Sequence, residues 1–144
     1  MSIGEVTLVG GGPGEWDLLT IRGLRALEAA DVILPDHLGP ASQLEEFLDV
    51  SSKELIDVSK LPYGKQVAQE RTNELLVEHA LAGKRVVRLK GGDPYVFGRG
   101  FEELQVCAAA GVPCRVVPGV TSAISVPAAA GVPVTQRGVT HSFT

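Results

Sequence analysis

Short runs of apolar, often β-branched residues alternate along the chain with segments whose apolar positions recur every three or four residues. Glu5–Val9 (EVTLV), Asp31–Leu34 (DVIL), Glu54–Val58 (ELIDV), Arg85–Leu89 (RVVRL) and Cys114–Val117 (CRVV) have strand character. Between them lie four helix-like segments. Leu18–Ala30 carries Leu18, Ile21, Leu24 and Leu27 at helical spacing, with Asp17 placed to cap it. Ala41–Leu48 is a shorter candidate. Ala68–Ala82 ends at Gly83, and Phe101–Ala110 ends at Gly111, the residue type that closes helices in the left-handed conformation. A fifth helix of small residues, Thr121–Ala130, is stopped by Gly131 and Pro133.

A strict strand–helix alternation predicts an α/β fold: a five-stranded, mostly parallel sheet flanked by helices on both faces. Parallel strands all deliver their carboxyl ends to one edge, and ligands bind there in such sheets. Gly10–Gly14, Pro35-Asp36, Gly91–Pro94 and Pro118–Ser122 each follow a strand directly. The topology therefore gathers these four loops on one edge. The closing stretch Val132–Thr144 is polar and β-branched, and reads as a frayed tail or as a linker into a further domain.

Composition narrows the picture. At 144 residues, with 44% apolar and 21% charged positions, the chain fits one globular domain and not a disordered segment. Its 17 glycines and 9 prolines follow no period and signify turns. A net charge of −4 and an aromatic content of 5% leave neither the basic field nor the stacking surface of a nucleic-acid binder. The N-terminus has no signal-peptide pattern, and no apolar run is long enough to span a bilayer. Cys107 and Cys114 form no metal-ligand set with His37, His79 and His141, so reduced thiols in the cytoplasm and no metal are expected.

The candidate chemistry sits on the predicted ligand edge. Gly10 and Gly12 fit the start of a G-x-G-x-x-G dinucleotide fingerprint, but Glu15 holds its third position and Pro13 removes a donor. Alone, this loop fits a bare tight turn as well as a ligand loop. Gly91-Gly92-Asp93-Pro94 removes side-chain bulk at a strand end and adds an acceptor. The plainer alternative is a turn closed by an Asx bond. Thr121 and Ser122 offer either a helix cap or hydroxyls for a polar ligand. Asp36 is a candidate base if it faces the cleft. Lys60 and the histidines fit solvated positions, and Cys107 fits a core position.

Taken in order, these motifs resemble the tetrapyrrole methylases, and among them those that act on uroporphyrinogen III. The resemblance is carried by residues 6–27, ADVILPDHL (30–38), GKRVVRLKGGDPYVFGRGFEE (83–103) and residues 111–138. It implies the first domain of a two-domain fold, spanning residues 1–134, with 135–144 as a linker. It implies methyl transfer from S-adenosylmethionine to two ring carbons of uroporphyrinogen III, giving precorrin-2 for siroheme or cobalamin, by a homodimeric enzyme. Pro13, Gly91, Gly92, Asp93, Val96, Thr121 and Ser122 would then line the S-adenosylmethionine pocket. Asp36 would accept a proton and Lys60 would donate one. Arg99 and Arg137 would meet the substrate's carboxylates. The chain departs from the family pattern at Pro35, where tyrosine is usual, and at Ser59-Lys60-Leu61, where Gly-Lys-Arg is usual. A methylase of a later corrin precursor is the alternative within the family. A nicotinamide-binding oxidoreductase domain is the alternative outside it.

Overall fold

The computed structural model describes residues 2–36, 43–58 and 64–144. Five strands form one sheet: β1 (Glu5–Gly10), β2 (Val32–Pro35), β3 (Glu54–Leu55), β4 (Arg85–Lys90) and β5 (Cys114–Val117). Their spatial order is β3-β2-β4-β1-β5, and every pairing is parallel. The helices are α1 (Ile21–Ala29), α2 (Leu44–Phe47), α3 (Lys65–Leu81), α4 (Gly100–Ala109) and α5 (Ser122–Ala129). The predicted alternation is therefore present, with the sheet parallel throughout.

Strand order decides where the helices lie. From β1 the chain steps over β4 to β2 and on to β3, then reverses to β4 and crosses β1 to β5. Right-handed crossovers place the helices of the outward steps on one face and those of the return steps on the other. The two buried clusters show this division. Leu27 of α1 and Leu44 of α2 pack on Val9, Ile33, Val87, Leu89 and Val117. Leu75, Leu76 and Ala80 of α3 and Cys107 of α4 pack on Val6, Leu8, Val32, Leu34 and Val86. The strand positions alternate between the faces with the period of two that a pleated strand imposes. β2 is buried along its whole length, as expected for a parallel strand covered on both sides.

Several element ends differ from expectation for identifiable reasons. The first helix does not run from Leu18 under an Asp17 cap. Trp16–Leu18 is a single 3-10 turn, and α1 starts at Ile21 with Thr20 as its cap, whose side chain accepts from the Gly23 N–H at 3.0 Å. Leu18 belongs to that earlier turn and is exposed. β3 is two residues long and not five, because it pairs with β2 alone at the sheet margin. α3 starts at Lys65, three residues ahead of the expected Ala68. Gly83 and Gly111 take positive φ (88° and 72°), as the helix ends they follow require.

The Thr20 cap yields a test that separates it from Asp17. Thr20→Ala removes the side-chain acceptor at the start of α1 and lowers stability by about 1 kcal/mol. Asp17→Ala changes it by less than about 0.5 kcal/mol. Urea denaturation of the two variants measures both; the reverse ranking would restore Asp17 as the cap.

Candidate active site at the carboxyl edge of the sheet

Beyond the ends of β1, β4 and β5 the backbone continues to interlock. Gly11 N–H donates to the Lys90 carbonyl at 2.6 Å. Gly12 and Gly92 exchange hydrogen bonds at 3.2 and 2.7 Å, an antiparallel bridge between loops that follow parallel strands. Gly119 N–H donates to Asp93 Oδ2 at 2.9 Å. The approach is too close for side chains. A Cβ on Gly119 would stand 2.1 Å from the Gly92 carbonyl oxygen, and one on Gly10 would stand 2.6 Å from the Gly119 Cα. Glycine is required at these positions by backbone packing.

Gly92 is different. Its φ is 62°, and among the described residues nothing lies within 4 Å of where its Cβ would be. The loop thus presents bare backbone at the edge with no described side chain over it. The neighbouring Thr121 caps α5, its hydroxyl accepting from Ala123 N–H at 3.4 Å, and Ser122 beside it is exposed. The first N–H groups of that helix have no intrahelical acceptor. This is a surface that can donate hydrogen bonds to the polar parts of a small ligand while lying flat against its apolar parts.

Asp36, just past β2, is tied to the same edge from two directions. Its N–H donates to the Leu89 carbonyl at 2.9 Å, and its carboxylate accepts from Gly91 N–H at 3.0 Å. The sequence-predicted base therefore lies against the glycine pair of the second loop. Asp93 has a structural job on both oxygens. Oδ1 accepts from Tyr95 N–H at 2.8 Å in an Asx turn, and Oδ2 takes Gly119. Pro13 is exposed between Gly12 and Gly14, and its loop is fastened through Gly14 O, which accepts from Gln43 Nε2 at 3.1 Å. Val96 is 43% exposed in the turn after Asp93. Arg99 precedes α4 with φ 56°, and Arg137 is exposed in the last stretch. Lys60 and His37 lie outside the described residues.

The dinucleotide fingerprint does not survive this geometry. The Gly12 N–H and carbonyl are both engaged with Gly92, and α1 begins only at Ile21. No helix N-terminus opens at the glycine turn to receive a pyrophosphate.

Three residues that sequence reasoning passed over lie just beneath the edge. Arg88, Lys90 and Glu103 are buried charges. Arg88 Nε donates to Glu103 Oε2 at 3.3 Å, Lys90 Nζ donates to Glu103 Oε1, and Arg88 Nη1 donates to the Leu34 carbonyl at 3.2 Å. Burial pushes the Lys90 ammonium below its ordinary range, and the Glu103 carboxylate opposes that shift. A signal was present: Arg88 and Lys90 share the parity of Val86 on a central parallel strand, whose two faces must both be covered. Cys107 is a core residue as expected. Its hydrogen bond with Cys114 holds the Cys114 thiol protonated, burial acting in the same direction.

Comparison with known proteins agrees with this arrangement. The sequence model described as Tetrapyrrole (Corrin/Porphyrin) Methylases matches residues 5–144. Siroheme synthase 1 of Serratia proteamaculans (strain 568) is 55% identical over 143 residues, covering 98% of this chain and 29% of that protein. The crystal structure of uroporphyrin-III-C-methyltransferase from Thermus thermophilus superposes with a TM-score of 0.80 at 43% identity, covering 98% of this chain and 59% of that one. A structure of the Thermus enzyme complexed with S-adenyl homocysteine superposes at 0.74, covering 96% of this chain and 57% of that one. The chain thus spans less than a third of the curated relative and somewhat over half of the solved structures.

The glycines of the edge separate into two kinds by substitution. Gly119→Ala forces backbone apart at three loops and lowers stability by about 2 kcal/mol or more. Gly92→Asn has room within the protein and tolerates positive φ, so its stability falls by less than about 1 kcal/mol. Thermal unfolding of both variants checks the ranking, and equal losses would show that the space over Gly92 is not open.

Proposed function

The chain belongs to the tetrapyrrole (corrin/porphyrin) methylases, and from that membership we propose that it holds the methyl donor in an S-adenosylmethionine-dependent C-methyltransferase of uroporphyrinogen III. The observation that carries the reading is the carboxyl edge of the sheet. Bare glycine backbone at Gly92 has no described residue near its Cβ position, the start of α5 is exposed beside it, and the Asp36 carboxylate is fastened to the adjacent Gly91 N–H. Pro13, Val96, Thr121 and Ser122 border that edge and complete the proposed donor pocket. Asp93 contributes by holding the second and third loops together.

S-adenosylmethionine supplies an electrophilic methyl on a sulfonium. Its sulfur keeps the electron pair of the broken bond when an electron-rich pyrrole carbon attacks. The protein's task is then chiefly alignment of donor and acceptor. A rigid edge does this: the loops are fixed to one another by backbone hydrogen bonds, so little is left to order on binding. After the new C–C bond forms, a proton must leave the macrocycle. Asp36 is proposed to take it, being the carboxylate at the edge whose backbone and side chain are both held in register. Lys60 is proposed as the acid. Arg99 and Arg137 are proposed to meet substrate carboxylates, guanidinium matching carboxylate geometry. The same reading makes the working enzyme a cytoplasmic homodimer on a siroheme or cobalamin route.

The test uses the natural-length gene product with labelled S-adenosylmethionine and uroporphyrinogen III. Two methyl groups per product molecule are expected. Asp36→Asn is expected to lower kcat by about 100-fold or more while the Kd for S-adenosylhomocysteine stays within about threefold. Equal loss in both quantities would remove Asp36 as the base. No transfer from a folded protein would exclude uroporphyrinogen III and bring forward later corrin precursors.

A further inference from the structure

A parallel sheet buried on both sides is the costliest place in this fold to put a charge, yet three occupy one patch. The side chains of Arg88, Lys90 and Glu103 are 7%, 4% and 0% exposed. Arg88 and Lys90 sit on the sheet face covered by α3 and α4, in line with Val86 and directly under the edge described above, and Glu103 meets them from α4. Their connections mark out what they hold. Lys90 is the last residue of β4 and Glu103 lies in the first turn of α4, so their ion pair joins the two ends of the 91–99 loop. The loop passes over the lysine stem: a Cβ on Gly98 would stand 3.3 Å from Lys90 Cε. Arg88 bridges the same carboxylate to the Leu34 carbonyl, two residues before Asp36. Gly91 N–H then closes the circuit onto the Asp36 carboxylate.

We propose that the Arg88–Glu103–Lys90 cluster is a clamp that positions the 91–99 loop and the end of β2 for donor binding, with Lys90 as its central positioning residue. None of the three touches the reacting atoms. The clamp sets the loop against the sheet from beneath and fixes the spacing between that loop and Asp36. A backbone with positive φ at Gly92, Phe97 and Arg99 needs such an anchor, since the free chain would leave that conformation. The clamp's role in methyl transfer rests on the function proposed above; its effect on the loop does not.

The experiment therefore reads the loop as well as the ligand. In the natural-length protein, Arg88→Met, Lys90→Met and Glu103→Leu are combined so that no buried charge is orphaned. Three readouts follow: thermal midpoint, the rate of chymotryptic cleavage at the fully exposed Phe97, and S-adenosylhomocysteine affinity. The expected result is a parental midpoint with cleavage about fivefold faster and a Kd about tenfold weaker. Parental cleavage and parental Kd in the folded triple variant would overturn the clamp. If that variant does not fold, Lys90→Met and Lys90→Arg are compared by the same cleavage and binding readouts. Lys90→Arg, which can still pair with Glu103, should lie within threefold of the parent while Lys90→Met does not, and equal behaviour of the two would also overturn it. Faster cleavage in a protein that binds no S-adenosylhomocysteine even as wild type would keep the clamp and remove the donor reading instead.

Discussion

Three backbone segments meet at the carboxyl edge of the sheet with no side chain between them. Gly10, Gly92 and Gly119 are packed so closely that a single methyl group on the first or last would strike backbone atoms. The contact is a constraint on the whole fold. It requires the ends of β1, β4 and β5 to be level, which the registers Gly10↔Lys90 and Val9↔Val117 provide. It also requires these three strands to be neighbours, which the reversal of chain direction between β3 and β4 provides. Once the loops are locked, the strand ends have no freedom to splay, and the space over Gly92 has fixed walls.

The sequence made the edge legible because glycine and proline have strong local meaning and parallel topology converts that meaning into position. The runs at 5–9, 85–89 and 114–117 are neighbouring strands of the sheet, and the turns after them meet as the topology demands. Lateral order was not legible, because nothing in a strand's own residues says which strand lies beside it. The start of α1 was misjudged for a local reason. Asp17 and Leu18 have the chemistry of a helix start, but the chain spends them on a 3-10 turn and begins again at Thr20, where a hydroxyl meets a free N–H. Asp93 shows the limit from another side. Its turn chemistry and its place on the ligand edge were both readable, but the bond from Gly119 joins residues 26 apart and depends on lateral order.

The buried charges were the larger omission. Periodicity treats Arg88 and Lys90 as breaks in an apolar strand and places Glu103 on a helix surface. Burial of an ion group is unfavourable unless every partner is present, and removing one partner costs about 3–5 kcal/mol. Arg88, Lys90 and Glu103 therefore form a unit that no single-position reading can find. The pattern that could have found it is parity: two cations at i and i+2 on a strand covered on both faces require a carboxylate on the helix packed above.

The loop between Lys90 and Glu103 is where the fold holds its strain. Phe97 and Arg99 have φ of 52° and 56°, a region disfavoured for residues with a Cβ. Each costs about 1–3 kcal/mol and persists only where surrounding contacts leave no alternative. Those contacts are present. A Cβ on Gly100 would stand 2.3 Å from the Pro94 carbonyl oxygen and one on Gly98 would stand 2.8 Å from it, while Gly100 N–H donates to that same oxygen at 2.9 Å. The loop is thus closed on itself above and held from below by the ion pair. The conformation leaves Phe97 fully exposed and Arg99 at the head of α4. A strained segment that buries neither of its large side chains gains nothing from them in stability. Its shape is set by the clamp and explained by what it presents beside the backbone of Gly92.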